Sequence, residues 1–216
     1  MGSTDTLWWR AWGTPGGRAR VVRLFGIRGG TFLAAALAVA IAACGGGGSS
    51  NNSNSDRTLS AVAFGNGLFV TAGKEGLLFT SSDGTKFESR TSNIQDTALN
   101  GTSGGPGLLV VVGDEGTIIT STDGITWQSE TSGTDVSLQA VIFANDVLVA
   151  VGYQGTILTS TDGHTWVPRQ STIATAFHGV GFGPLGFVAV GDDGGVVTSV
   201  DAITWTRAVS NTSNTL

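Results

Sequence analysis

The stretch Thr159-Ser-Thr-Asp-Gly-His-Thr-Trp166 has three counterparts in the same chain: Thr80-Ser-Ser-Asp-Gly-Thr-Lys-Phe87, Thr120-Ser-Thr-Asp-Gly-Ile-Thr-Trp127 and Thr198-Ser-Val-Asp-Ala-Ile-Thr-Trp205. The aspartates fall at Asp83, Asp123, Asp162 and Asp201, and the closing aromatics at Phe87, Trp127, Trp166 and Trp205. Ahead of each motif, glycines recur in register at Gly73, Gly113, Gly152 and Gly191, then at Gly76, Gly116, Gly155 and Gly194. Four copies of one unit therefore fill residues 59–98, 99–137, 138–176 and 177–216, beginning at Leu59, Leu99, Leu138 and Phe177 with spacings of 40, 39 and 39. Self-similarity at such a period is the signature of a repeat architecture.

Within the third copy, Leu138–Phe143 and Val147–Val151 are rich in β-branched and apolar residues and are separated by the turn-prone Ala-Asn-Asp. Thr156–Thr161 reads as a third strand. Asp162-Gly163 reads as a tight hairpin turn in which glycine takes positive φ, and Thr165–Arg169 as a short fourth strand, placed at a sheet edge by Pro168. Four antiparallel strands in about 40 residues is the size of one propeller blade. The expectation is an all-β chain, a β-propeller of four four-stranded blades, either closed on itself or forming half of an eight-bladed homodimer. The dimer stays open because no strand is left over to complete a neighbouring blade.

The repeated motif resembles the Asp-box, or bacterial neuraminidase repeat, and more closely the propellers described as photosystem II assembly factor-like. The resemblance covers nearly all of 59–216. It departs from the family in a turn one residue shorter and in Ala202, which stands where the other copies have glycine. The motif's chemistry is local: aspartate oxygens accept from turn amides, hydroxyls tie the arms, and the aromatic covers the hairpin. The four aspartates and four aromatics are thus read as structural.

The resemblance also implies a glycan hydrolase as the alternative function, because neuraminidases use an arginine cluster, a tyrosine nucleophile with a glutamate, and an aspartate acid. The residues do not supply these. After the leader the arginines are Arg57, Arg90, Arg169 and Arg207, the last three just past a closing aromatic on the outermost strand, and Tyr153 is the only tyrosine. Asp114-Glu115 and Asp192-Asp193 occupy equivalent loops and leave a carboxylate pair open, although solvated turn residues explain them as well. His164 and His178 have no second ligand at metal spacing, and no serine lies in a nucleophile elbow. The acidic loops fall short of a calcium loop. No catalytic residue, metal or cofactor is expected, and the chain is read as no enzyme.

Binding is expected where the copies stop agreeing. The loops between second and third strands carry Lys74-Glu75, Asp114-Glu115, Tyr153-Gln154 and Asp192-Asp193 between recurring glycines. A constant scaffold presenting varied side chains is how repeat proteins build binding surfaces, and drift at loop tips is the competing reading. The blade connections, such as Asn93–Thr97 and Gly133–Val136, should rim the same face. Its acidic character suits a cationic, sugar-like or protein ligand.

The N-terminus reads as an export leader. Arg10, Arg18, Arg20, Arg23 and Arg28 precede the apolar run Thr31–Ala43, whose 13 residues are short of the about 20 that span a bilayer. The run closes on Ile41-Ala42-Ala43-Cys44, which resembles a bacterial lipobox. A stray thiol is the alternative for Cys44, the chain's one cysteine. Residues 1–43 are read as signal peptide. Met1 is the only methionine, and a start near Val22, leaving 1–21 untranslated, would give a more ordinary leader. Residues 44–58 are read as lipid-anchor cysteine and Gly/Ser/Asn tether. Gly45 lacks the aspartate of inner-membrane retention, so a lipid-anchored place in the cell envelope is expected, the outer membrane if there is one. Residues 45–216 hold six Lys+Arg against fifteen Asp+Glu, a net charge of −9. Nucleic acid is excluded as a partner, because phosphate binding needs a basic face.

Overall fold

The computed structural model describes residues 57–105 and 107–210. The expected leader, Cys44 and the part of the expected tether before residue 57 lie outside the described residues.

Four antiparallel sheets follow one another along the chain. Blade 1 holds β1 (Leu59–Gly65), β2 (Leu68–Gly73), β3 (Leu78–Ser81) and β4 (Glu88–Ser89). Blade 2 holds β5 (Leu99–Gly105), β6 (Leu108–Gly113), β7 (Ile118–Ser121) and β8 (Gln128–Glu130). Blade 3 holds β9 (Leu138–Ala144), β10 (Val147–Gly152), β11 (Ile157–Ser160) and β12 (Val167–Arg169). Blade 4 holds β13 (Phe177–Gly183), β14 (Gly186–Gly191), β15 (Val196–Ser199) and β16 (Thr206–Arg207). Each sheet keeps chain order, so Pro168 lies in an edge strand, where its missing N–H costs no ladder bond.

Two kinds of turn lie at one end of the blades. Asn66-Gly67 and Asn145-Asp146 have positive φ at both residues and are two-residue hairpins of the primed type, whose twist matches that of the strands. The turn after the third strand differs from the sequence expectation. It is not a tight Asp-Gly hairpin, because residues 161–166 separate β11 from β12. Gly163 does take a positive φ of 78°, but the turn is closed by side chains. Asp162 Oδ1 accepts from His164 N at 2.9 Å, from Thr165 N at 2.7 Å and from Ser160 Oγ at 3.0 Å. The carboxylate does the work that a backbone bond does in a shorter turn.

Alternation along the strands gives every blade two apolar faces. In β6, Leu109 and Val111 face blade 1 while Val110 and Val112 face blade 3. In β10, Leu148 and Ala150 face blade 2 while Val149 and Val151 face blade 4. The core is therefore three clusters, each lying between consecutive blades. The closing aromatics belong to these clusters. Trp127 packs toward blade 1, Trp166 toward blade 2 and Trp205 toward blade 3, at 4%, 8% and 2% exposure. Each ring is thus cement between blades as well as cover for its own hairpin, to which Trp166 and Trp205 also donate through Nε1. Phe87, at the same place in blade 1, is 42% exposed.

A candidate binding face at the channel mouth

The four first strands lie innermost and line a central cleft of ≈ 230 Å³. Close approach of these strands demands small residues. A Cβ on Gly65 would come within 2.5 Å of the Gly104 Cα, and one on Gly101 within 2.9 Å of the Ala140 Cα.

Near its start, each innermost strand skips register with its neighbour, at Leu59/Ala61, Leu99/Gly101, opposite Val151/Gly152, and at Phe177/Gly179. The residues passed over are Ser60, Asn100, Gln139 and His178. A bulge releases a residue from the ladder and re-aims its side chain, and all four line the cleft. Their polarity amid apolar and small neighbours was visible in the repeat alignment, yet these residues are missing from the sequence-derived candidates. Only the register shift gives them a purpose.

The eight loop residues singled out by sequence stand beside this ring. Lys74-Glu75, Asp114-Glu115, Tyr153-Gln154 and Asp192-Asp193 each open a single 3-10 turn that ends on a glycine. In the last three loops the first residue of the pair meets a cleft residue. Asn100 Nδ2 donates to Asp114 Oδ1 at 2.8 Å, and His178 Nε2 lies 2.8 Å from Asp192 Oδ1. The Tyr153 ring meets His178 edge-on, with centroids 6.0 Å apart. The second residue is exposed in every loop and sits in left-handed backbone, with φ of 55° at Glu75 and Glu115 and 54° at Gln154 and Asp193.

Backbone bonds fix the loops against the blade connections. Gly76 N donates to Thr97 O and Gly155 N to Thr175 O, at 2.8 and 2.7 Å. Ser92 Oγ donates to Gly76 O, and Ser210 Oγ to Gly194 O. Connections and loops therefore share one face, with Asn93–Thr97 beside the first loop. The four loop pairs carry five carboxylates, at Glu75, Asp114, Glu115, Asp192 and Asp193, against the ammonium of Lys74.

The Asp turns lie at the other end of the blades, since they follow the third strand rather than the second. Asp83, Asp123 and Asp201 accept from turn amides as Asp162 does. Those amides hold the carboxyls of Asp123 and Asp162 at about 2 and lower those of Asp83 and Asp201. A carboxylate so saturated with donors stays ionised and is a poor proton donor.

The three arginines that follow the closing aromatics do not converge on the cleft. Arg90 Nε donates to Thr80 Oγ1 at 2.7 Å, Arg169 Nε donates to Thr159 Oγ1 at 2.8 Å, and Arg207 lies in the outer strand β16. His164 lies in an Asp turn against Glu130 of blade 2, at 2.8 Å. Among the described residues, no group of three or more His, Cys, Asp or Glu side chains could hold a metal ion.

Comparison of the fold with solved structures gives a consistent answer. YCF48 bound to D1 peptide is similar over 69% of this chain and 54% of its own, at 20% identity and a TM-score of 0.56. The WD40 β-propeller domain of Doa1 is similar over 73% of this chain and 57% of its own, at 13% identity and a TM-score of 0.57. A Trypanosoma rangeli sialidase in complex with 2,3-difluorosialic acid is similar over 70% and 37%, at 15% identity and a TM-score of 0.50. The chain is a β-propeller. It spans just over half the length of the YCF48 and Doa1 chains and about a third of the sialidase. No protein-family model matches it, and no curated protein sequence does.

Proposed function

We propose that the chain is a non-catalytic binding and assembly module that holds a protein partner on its channel-mouth face. One observation carries this reading: four bulged polar residues and four pairs of differing loop side chains converge on one face of an otherwise repeated scaffold. There the repeats differ in chemistry while agreeing in backbone. The excess of carboxylates favours a segment rich in Lys or Arg, steered by charge and oriented by the hydrogen-bonding groups at the mouth. A YCF48 propeller has been solved with a D1 peptide, so peptide capture is compatible with this fold; the ligand argument here rests on this chain's own side chains.

Glycan hydrolysis remains the alternative that the sialidase-like fold raises. Arg90, Arg169 and Arg207 sit at the outer strands, and Tyr153 faces a histidine rather than a glutamate. The lipobox-like Cys44 would hold the propeller at a membrane surface in the cell envelope, within reach of a tether of about a dozen residues.

The full-length chain, purified in detergent, should bind Lys/Arg-rich peptides on an array more tightly than acidic ones. Tyr153→Ala and the pair Asp114→Asn/Asp192→Asn should weaken binding by roughly tenfold, about 1.4 kcal/mol. Their melting temperatures should barely move, since Tyr153 is exposed, asparagine keeps the Oδ1 acceptor at positions 114 and 192, and surface changes usually alter stability by within about 0.5 kcal/mol. Turnover of a fluorogenic glycoside that disappears in Asp114→Asn or Asp192→Asn would replace this reading with the enzymatic one.

A further inference from the structure

Blades 1 and 4 end in faces that repeat the two halves of the internal interfaces without packing on each other as consecutive blades do. In each internal interface the later blade contributes the opening residue of its inner strand, alternate residues of its second strand, and its closing aromatic. Leu99, Leu109 and Trp127 do this on blade 1, and Phe177, Phe187 and Trp205 on blade 3. The counterparts in blade 1 are Leu59, Phe69 and Phe87, with the Phe64 ring tilted against Phe69 at a centroid distance of 4.8 Å. Leu99, Leu138 and Phe177 are all fully buried, whereas Leu59 is 43% exposed and Phe64 59%.

The receiving half shows the same contrast. Val110 and Val149 are buried by the following blade, while Val188, in their register in blade 4, is 38% exposed. Gly65 and Gly105 abut Gly104 and Phe143 of the next blade, but a Cβ on Gly181 or Gly183 would meet nothing within 4 Å. Strand β13 does not pack on β1 as β5 packs on β1 and β9 on β5. An apolar donor face without an acceptor thus sits at one end of the arc, and an acceptor without a donor at the other.

We propose that a second copy of this chain fills both. Blade 1 of each copy docks on blade 4 of the other, and two arcs close an eight-bladed ring whose two-fold axis runs through the central cleft. The occupant follows from continuity with the internal interfaces, which show blade by blade how a donor face of this sequence seats on an acceptor face. A head-to-tail contact of this kind makes a closed ring when the rotation completes a turn, and eight blades lie at the upper end of the usual range of roughly four to eight. Closure would also surround one mouth with two sets of loops, whatever those loops bind.

The test uses the full-length chain in detergent. Native mass spectrometry should give twice the mass of one chain. Gly181→Lys adds a side chain where the single chain is open, so its circular dichroism should match the parent while its mass falls to one chain. With Cys44→Ser as background, Phe87→Cys combined with Val188→Cys and a short bis-maleimide should give a species of two chains and no larger. A single-chain mass for the parent would overturn the ring, whether the ends are covered by the chain's own remaining segments or left open. So would a bridge formed within one chain, a ladder of higher oligomers, or a Gly181→Lys variant that stays dimeric.

Discussion

Leu108 of blade 2 lies over Gly163 of blade 3 so closely that a Cβ at position 163 would overlap the leucine Cδ2. Gly124 is held under Leu68 in the same way, its Cβ position 2.5 Å from Leu68 Cδ1. Blade 3 presents Val147 at the corresponding place, and the turn that rests there carries Ala202, 1% exposed and with φ of 61°. The exception in the fourth motif is thus a matched pair, with a shorter partner above and a methyl group below. Gly163→Ala should cost about 1–3 kcal/mol through overpacking, plus roughly 1 kcal/mol for alanine in left-handed backbone. Adding Leu108→Val should restore the overpacking share. Urea unfolding of the single and double variants measures both, and equal stability of the two would refute the pairing.

Acid should loosen the Asp turns in a defined window. The amides of Ile125 and Thr126 hold the Asp123 carboxyl at about 2, and those of Thr165 and His164 do the same for Asp162. Folded values below the unfolded one mean that this contribution is complete above about pH 4 and lost as the pH falls toward 2. Melting temperatures should therefore drop across that interval. The double variant Asp123→Asn/Asp162→Asn should be less stable at neutral pH and show a shallower acid slope. A slope as steep as the parent's would place the acid sensitivity elsewhere.

Much of this architecture is legible from the chain because its determinants are local and repeated four times. The starts of the inner strands at Leu59, Leu99, Leu138 and Phe177 and the positive φ at Gly84, Gly124 and Gly163 are read directly from recurring letters. What escapes is relational. Trp127, Trp166 and Trp205 look like covers for their own hairpins until the neighbouring blade is seen against them. Ser60, Asn100, Gln139 and His178 look like ordinary strand residues, since a register skip leaves no mark in composition. The loops were identified by variation alone, but the tilt of Asp114 and Asp192 to the mouth depends on partners 14 residues earlier.

The loop residues in left-handed backbone offer a separation of fold from function. Glu75, Glu115 and Gln154 occupy φ near 55°, a region that costs a side-chain-bearing residue roughly 1–2 kcal/mol, against about 0.5–1 kcal/mol for the extra freedom of glycine when unfolded. Glu115→Gly and Gln154→Gly should each stabilise the chain by about 0.5–1 kcal/mol, read from chemical denaturation. Should either variant gain stability and lose peptide binding, the side chain is kept for recognition. Should stability fall, the side chain makes contacts that outweigh its backbone strain.

Cys44 follows five arginines and the apolar run Thr31–Ala43 and stands ahead of a Gly/Ser/Asn run. Acylation there would confine the propeller to a membrane surface and raise its effective concentration toward anything held at that surface. One acyl chain gives only marginal, reversible anchoring, whereas two hold firmly, so a diacylglyceryl cysteine should partition fully. In cells, the parent should enter the detergent phase of a two-phase extraction and Cys44→Ala the aqueous phase. A Cys44→Ala variant retained with detergent would mean that the apolar run Thr31–Ala43 holds the chain instead, leaving the tether with a different anchor.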